Sequence, residues 1–441
     1  MTITGSLFMV AFLAAMGLSL SRNPLYGLYG YVAVFYLHPP SRWWGEYLPD
    51  LRWSLLAAAV TLISIWVRNP GNVRQPWYST TAAKIMLAFT AWFWLGYLWA
   101  LNPEQHYLTA IMLTKYLLVY YMIYRLVDTP EKASHFLLVH LLGCFYLGYL
   151  GMTASVSGRL DGVGGPGIDD SNTLGMQAAT GVIVGGVLAL HYRTWRLALC
   201  LVAIALTLNI IVLAGSRGAF LALVAGGCAV WLFRPRAYGK KFYVFAALGC
   251  VLIGAVASNQ FWERMNTVKA VASEDKSEMD LSAESRLVMA EAQLKMAARF
   301  PFGAGHRGSE VLSKEYLDPI YMSAGGNARS SHNVFLTVLV EQGIPGVLLS
   351  FALIAWVVRA STQVKQDAEK RDDVMASVCV AAIFGALTVV AVAGLFADFA
   401  KCEVQIWMFA LLASLQTNVG KTLPASTSAA AVPAKSRRLK T

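Results

Sequence analysis

Long runs of apolar residues separated by short polar segments dominate the chain. A helix needs about 20 apolar residues to cross the hydrocarbon core of a bilayer. The runs that reach or approach this length are 3–20, 25–38, 53–67, 83–101, 107–126, 134–152, 173–191, 196–214, 218–233, 242–257, 332–358, 374–397 and 403–416. The first two runs are short and are joined by Ser21-Arg22-Asn23-Pro24, so they form either two tilted spans or one span with a re-entrant piece. The pattern predicts about 12 transmembrane helices.

Composition supports this interpretation. The 441 residues are 57% hydrophobic and only 14% charged, whereas about 25% of the residues in a soluble domain are charged. This excludes a soluble globular enzyme, a disordered chain and a coiled coil. The short alternating segments of an outer-membrane barrel are also absent from the sequence, so the spans are predicted to be helical. The predicted fold class is an all-α polytopic membrane protein.

The net charge of +11 is distributed as a topology signal. Lys and Arg concentrate in one alternating set of short loops, and such loops face the cytoplasm. Its basic residues are Arg68, Arg74, Lys84, Arg125, Lys132, Arg193, Arg196, Arg234, Arg236, Lys240, Lys241, Arg359, Lys365, Lys370 and Arg371. The charge therefore does not indicate nucleic-acid binding. We predict transmembrane segments over 1–257 and 332–418, with a disordered basic cytoplasmic tail over 419–441.

The remaining segment, 258–331, is one long loop on the outer side. Its ten acidic and nine basic residues nearly balance, which is typical of a small folded cap. Apolar residues recur at three- and four-residue spacing over 282–299 and predict a helix, which Phe300-Pro301-Phe302-Gly303 ends. Ser330 or Ser331 is expected to cap the span that follows.

Three residues on the predicted outer side are the main candidates for chemistry. Arg217 lies between glycines at the junction of two spans, where an arginine either lines a cavity or extends its charge to the interface. Arg286 lies near the start of the loop helix, and alone it would be an unremarkable surface arginine. His332 lies where a long apolar helix begins. The positive helix end and nearby arginines disfavour its imidazolium form, so it is suited to accept a proton, although a capping role is the alternative.

Several other polar residues are weaker candidates. Arg159 and Arg307 lie in glycine-rich outer loops, Asn333 follows the candidate histidine, and Lys115 falls inside a span, where it either extends to the interface or lines a cavity. Asp169-Asp170 offers paired carboxylates, but adjacent Asp residues in a Gly/Pro/Asn loop more often form turns. The six cysteines lack metal-ligand spacing and a disulfide framework, so no metal is expected.

Together, these residues indicate a lipid-linked diphosphate as the ligand. Arginine pairs bidentately with phosphate, and two arginines can neutralise a leaving diphosphate without a metal. A neutral histidine can deprotonate an incoming hydroxyl. Composition alone gives only an outward-facing basic cavity, for which a transporter is the alternative. No convincing internal repeat of the kind common in transporters is visible.

The motifs around these residues resemble those of the O-antigen ligase and O-antigen polymerase superfamily. They are Ser285-Arg286-Leu287, Pro301-Phe302-Gly303-Ala304-Gly305, His332-Asn333-Val334-Phe335-Leu336 with Glu341-Gln342-Gly343-Ile344-Pro345-Gly346, and Ala214-Gly215-Ser216-Arg217-Gly218. Leu37-His38-Pro39-Pro40 also resembles the exosortase-associated ligase branch. The detailed match extends from about residue 213 to 346 and the following span.

The resemblance implies an O-antigen ligase with a fold like that of GT-C glycosyltransferases. Arg217, Arg286 and Arg159 would bind undecaprenyl diphosphate, and His332 would act as the base. The glycan would pass to a lipid A–core hydroxyl on the periplasmic face of the bacterial inner membrane, with inversion and without a metal or other cofactor. Two alternatives share this chemistry, namely an O-antigen polymerase and a protein O-oligosaccharyltransferase.

Overall fold

The computed structural model describes residues 2–70, 75–154, 160–235, 238–256, 281–318, 333–397 and 402–418, and the regular structure in these ranges is helical. These ranges contain fifteen α-helices. Their bounds are α1 Ile3–Ser21, α2 Leu25–Leu37, α3 Trp53–Arg68, α4 Thr81–Gly96, α5 Pro103–Leu126, α6 Pro130–Thr153, α7 Ser171–His191, α8 Thr194–Ala214, α9 Arg217–Phe233, α10 Gly239–Val256, α11 Leu281–Arg299, α12 Gly308–Tyr316, α13 Val334–Lys370, α14 Val374–Ala393 and α15 Glu403–Asn418.

Each of the thirteen apolar runs forms a helix, which confirms an all-α polytopic membrane protein. Within the described ranges, seven helices are long and apolar enough to cross a membrane, and three shorter apolar helices are α3, α4 and α9. The first two runs form separate helices, α1 and α2, which pack against each other. The predicted tail and the outer parts of the large loop, 258–280 and 319–331, lie outside the described residues.

Helices α7, α9 and α14 pack against one another at the centre of the bundle. Small residues on these helices let their backbones approach closely, as is common between membrane helices. A methyl group added at Gly226 would lie 2.6 Å from Val389, and one added at Gly385 would lie 2.6 Å from Val230 and 2.7 Å from Ile183. Trp407 of α15 is fully buried beside this centre.

Helix ends separate into two groups, as the loop charges predict. One group, the basic end, is linked by contacts from Arg68 to the Leu20 carbonyl, Arg125 to Asn69, His191 to Tyr238 and Lys365 to the Leu232 carbonyl. The opposite end carries α11 and α12 and is called the cap end here. Which side of a membrane each end faces stays a prediction.

The cap, residues 281–318, packs against the first half of α13. Met289, Met296 and Leu312 form a small apolar core with Val340 of α13. The helix predicted over 282–299 is confirmed as α11. It ends before Phe300, and Gly303 follows with a left-handed φ of 90°. A side chain there would strike the Glu341 carbonyl oxygen at 2.5 Å, so glycine lets the turn lie directly on α13.

Candidate functional site

Arg217 is the first residue of α9, at a tight corner after α8. Gly215 ends α8 in the left-handed conformation with φ of 56°. Ser216 then caps α9, because its Oγ accepts a hydrogen bond from the Ala219 N–H at 3.3 Å. The same hydroxyl donates to Asn172 Oδ1 at 2.9 Å. This corner fixes the half-buried Arg217 at the cap end, beside the beginning of α7.

The same end of the bundle receives the beginning of α13. Gly218 packs so closely on Phe396 that an added Cβ would lie 2.6 Å from the Phe396 Cβ. Two residues earlier in the chain, the Gly394 carbonyl accepts a hydrogen bond from the Val334 N–H at 2.8 Å. The segment after α14 therefore connects the Arg217 corner to the first turn of α13.

Asn333 caps α13. Its Oδ1 accepts from the N–H groups of Phe335 at 3.0 Å and Leu336 at 3.2 Å. The prediction that Ser330 or Ser331 caps this helix is wrong, because α13 begins at Val334 and both serines precede the capping position. Asparagine is among the preferred capping residues. His332 precedes Asn333 in sequence and lies outside the described residues.

The other predicted site residues fall into separate places. Arg286 lies in α11, but its side chain is not among those that the structure describes. Arg159 lies outside the described residues. Arg307 precedes α12 and lies 3.8 Å from Glu310 at the surface. Lys115 is on an exposed face of α5.

Carboxylates beside the Arg217 corner stabilise the start of α7. Asp170 Oδ1 accepts from the N–H groups of Asn172 at 2.9 Å and Thr173 at 3.2 Å, and Asp161 Oδ1 accepts from the Ser171 N–H at 2.6 Å. A helix N-terminus favours such negative charge. Among the described residues, no group of three or more His, Cys, Asp and Glu side chains is arranged to hold a metal.

Arg42, which lies in no predicted motif, joins two parts of the chain at the cap end. Its guanidinium donates to the carbonyls of Leu37 at 2.9 Å, Val163 at 2.8 Å and Tyr36 at 3.4 Å. It also lies 5.5 Å from the centre of the Tyr146 ring. Burial, and secondly the charge of Arg42, lower the pKa of neighbouring His38. The sequence signal for this contact was a lone arginine following His38-Pro39-Pro40.

A buried polar cluster joins the cap to α5 and α13. His306 Nδ1 lies 2.8 Å from Glu341 Oε2, and Ser309 Oγ donates to Glu341 Oε1 at 2.9 Å. The His306 backbone N–H donates to His106 Nδ1 at 2.8 Å. In the sequence, Glu341 lies within one of the family-like motifs, whereas neither histidine does. Their spacing along the chain gave no sign that they meet.

An apolar cavity of about 290 Å³ runs along α13 from its first turn. Val334 and Phe335 line it at the cap end, and Val357 and Val358 line it near the other end. Helices α4, α5, α14 and α15 complete the wall, and the polar groups include Tyr116 and Gln405. Ile354 and Val358 are exposed on the outer surface of the bundle, so the cavity opens sideways.

The fold and these sites define a polytopic membrane protein with a helical cap over one end and a lateral apolar cavity. Residues 202–351, about a third of the chain, match the O-Antigen ligase family model. This region contains the Arg217 corner, the cap and the first half of α13. The match confirms the resemblance to the O-antigen ligase superfamily, whose members are glycosyltransferase-like membrane enzymes. No curated protein matches the sequence.

Proposed function

We propose that the protein is an O-antigen ligase that transfers a glycan from undecaprenyl diphosphate to a hydroxyl of lipid A–core on the periplasmic face of the inner membrane. The observation that carries this proposal is that the segment after α14 connects the Arg217 corner to the first turn of α13 at the cap end, through Phe396 and Gly394. That turn also begins the wall of the apolar cavity.

The cavity supports a lipid-linked donor. Its lining is almost entirely apolar, and it extends inward from the end that carries Arg217 and Asn333. An amphiphile bound here would keep its hydrocarbon chain among Phe335, Leu353 and Val357, with its diphosphate beyond Val334 at the cap end. Burying apolar surface contributes about 25 cal/mol per Å², so the hydrocarbon chain would supply affinity and the polar groups of the cap end the chemistry.

The reaction needs no redox partner. The acceptor hydroxyl oxygen attacks the anomeric carbon and forms a new carbon–oxygen bond, and its proton passes to the imidazole of His332. The bond between that carbon and the diphosphate oxygen breaks, and the negative charge that develops there is stabilised by the guanidinium groups of Arg217 and Arg286. Direct attack opposite the leaving group inverts the anomeric carbon.

The test uses full-length protein in nanodiscs, with an undecaprenyl-diphosphate glycan as donor. Lipid A–core, a second donor molecule and a hydroxyl-containing peptide are offered separately as acceptors. Glycan on lipid A–core supports the ligase. Glycan on the second donor identifies a polymerase, and glycan on the peptide identifies a protein glycosyltransferase. Donor movement across the membrane of proteoliposomes without any transfer would identify a transporter.

Matched variants test the site. We expect His332→Ala and Arg217→Ala each to abolish transfer while the protein accumulates in the membrane, because one removes the base and the other a diphosphate ligand. Arg193→Ala is the control, since Arg193 precedes α8 at the basic end and should retain wild-type activity. Wild-type transfer by the Arg217 or His332 variant would remove that residue from the site.

A further inference from the structure

The cap rests on a buried carboxylate that the proposed reaction does not use. The Glu341 side chain is 6% exposed and the His306 side chain 7%. Ser309 and His106 are also buried. Burying a carboxylate is costly unless it is hydrogen-bonded, and Glu341 receives one contact on each oxygen from the cap, from Ser309 and His306.

His106 extends this contact into α5. Its Nδ1 accepts the His306 N–H, so the proton of its neutral ring is on Nε2, which donates to the Phe93 carbonyl at 2.7 Å. The ring also stacks on Phe93, with centroids 4.3 Å apart. His106 therefore fixes the cap backbone at residue 306 relative to both α4 and α5.

Backbone hydrogen bonds surround the Glu341 contact. The Ala304 N–H donates to the Val340 carbonyl at 2.8 Å, the Gly305 N–H to the Glu341 carbonyl at 3.0 Å and the Ile344 N–H to the Pro301 carbonyl at 2.9 Å. They bracket Gly343, where α13 breaks with φ of 66°. The break separates residues 334–342 from the rest of α13, so the direction of this short segment depends on contacts with the cap.

A carboxylate beside an imidazole is also the arrangement that orients a catalytic base. The geometry argues against that role for His306, because the ring is enclosed by the cap, α4 and α13 and is almost inaccessible to a substrate. Its contact instead fixes the segment 334–342, which Asn333 caps and which begins two residues after His332 in the chain.

We propose that Glu341, His306 and His106 form a positioning network for the transferase reaction. The network joins the cap, α5 and the segment 334–342, and so sets the direction in which the beginning of α13 meets the Arg217 corner. None of its three side chains contacts substrate. This inference rests on the proposed function for its kinetic consequence, but its structural consequence can be measured without any substrate.

The kinetic experiment compares Glu341→Ala, His306→Ala and their double variant with Ser309→Ala, which removes only the hydroxyl contact to the carboxylate. Misplacement by about 1 Å can lower a rate about 100-fold, so we expect kcat per donor-binding site to fall by about that factor in each of the first three. KM for the donor should change little. The double variant should be no slower than either single variant, because both break one network, and Ser309→Ala should lose less.

Glu341→Gln is the conservative variant and should recover most of the lost kcat, because it keeps the shape and one acceptor oxygen. A role in stability alone would lower the number of donor-binding sites and leave kcat per site unchanged, and this result would overturn the proposal. So would a rise in KM at constant kcat, or effects of the two single variants that multiply in the double variant.

Hydrogen–deuterium exchange supplies the measurement without substrate. The amides of Ala304, Gly305 and Ile344 should exchange faster in Glu341→Ala than in Ser309→Ala, whereas the amides of central helix α7 should be unchanged. Unchanged exchange at the three amides would overturn the network even if the variant is inactive. If the wild-type protein transfers glycan to no acceptor, but the three amides still exchange faster in Glu341→Ala, the proposed function is rejected and the structural coupling stands.

Discussion

At the scale of single residues, Arg42 holds the loops of the cap end together through hydrogen bonds to backbone carbonyl oxygens. Arg42 is 8% exposed and donates to three backbone carbonyls from two parts of the chain. Planar guanidinium groups suit such contacts, because several N–H donors are fixed in one plane. A lysine has a single donor centre and could not span the same set.

His38, which lies close to Arg42, should make the stability of the fold depend on pH. The folded pKa of His38 is lowered from 6.5 by burial and by Arg42, so below pH 6.5 the unfolded chain takes up the proton more readily. Stability should therefore fall as the pH decreases from 6.5 towards the lower folded pKa. We expect His38→Asn, which tolerates the left-handed φ of 37°, to weaken this dependence.

The measurement is the Tm of both proteins in the same detergent between pH 8 and 5. Above the unfolded pKa the difference between the two Tm values should be constant, and it should shift in favour of the variant as the pH falls. A difference that does not change with pH would contradict the assignment of this titration to His38.

At the scale of elements, the break in α13 determines how the cap docks. An apolar run predicts where a helix lies, and all thirteen runs became helices. The run alone did not predict the interruption at Gly343, although Pro345 was a visible signal of one. The reason is that the break is stabilised by tertiary contacts from Pro301, Phe302 and Gly303, which are distant in sequence.

The break can be tested with one methyl group. In Gly343→Ala the new Cβ would lie 2.3 Å from the Pro301 carbonyl oxygen, and the left-handed φ would be strained as well. We expect a loss of about 3 kcal/mol in the free energy of unfolding, measured by reversible denaturation in mixed micelles, or failure to accumulate in the membrane.

The matched control is Gly227→Ala in α9, where nothing lies within 4 Å of the added Cβ. A helical glycine is about 0.5–1 kcal/mol less favourable than alanine, so this variant should be as stable as wild type or more stable. Equal stability of the two variants would show that the backbone at residue 343 is not confined as the structure has it.

At the scale of the whole molecule, the sequence predicted the fold class and the grouping of loops more fully than the site. Apolar length and loop charge act locally, so they can be read without knowing which helices meet. The site depends on which side chains converge across the bundle. Family motifs indicated Arg217, Arg286 and His332. The contacts of Arg42, and those of His306 with Glu341 and with His106, became visible only when distant segments were brought together.

Orientation is testable by labelling thiols from one side. In a background with the two exposed cysteines replaced, Cys228→Ala and Cys250→Ala, a cysteine is placed at Tyr47 of the cap end or at Trp195 of the basic end, both exposed. An impermeant maleimide should label the Tyr47→Cys protein in intact spheroplasts, and the Trp195→Cys protein only after permeabilisation.

The lysed sample controls for reactivity, since both positions should then label equally. Labelling of Trp195→Cys in intact spheroplasts, with Tyr47→Cys protected, would reverse the topology. The Arg217 corner would then face the cytoplasm, and the proposed periplasmic reaction would be wrong.

Independence from metal ions is a further prediction for the whole enzyme. Because arginines are proposed to neutralise the diphosphate, transfer in nanodiscs should continue at the wild-type rate in excess EDTA. Loss of transfer with EDTA, and its return with added Mg²⁺, would contradict this mechanism. Attention would then move to Asp169 and Asp170, both exposed beside the Arg217 corner.

Because the cavity along α13 opens sideways, the donor concentration that this protein meets is the concentration within the membrane. A lipid that enters between helices is supplied by the bilayer plane, so occupancy follows its mole fraction among neighbouring lipids and not its amount per litre. Adding detergent or bulk phospholipid at constant total donor would then act as dilution. Two samples with identical molar donor could therefore give different rates without any change in the protein.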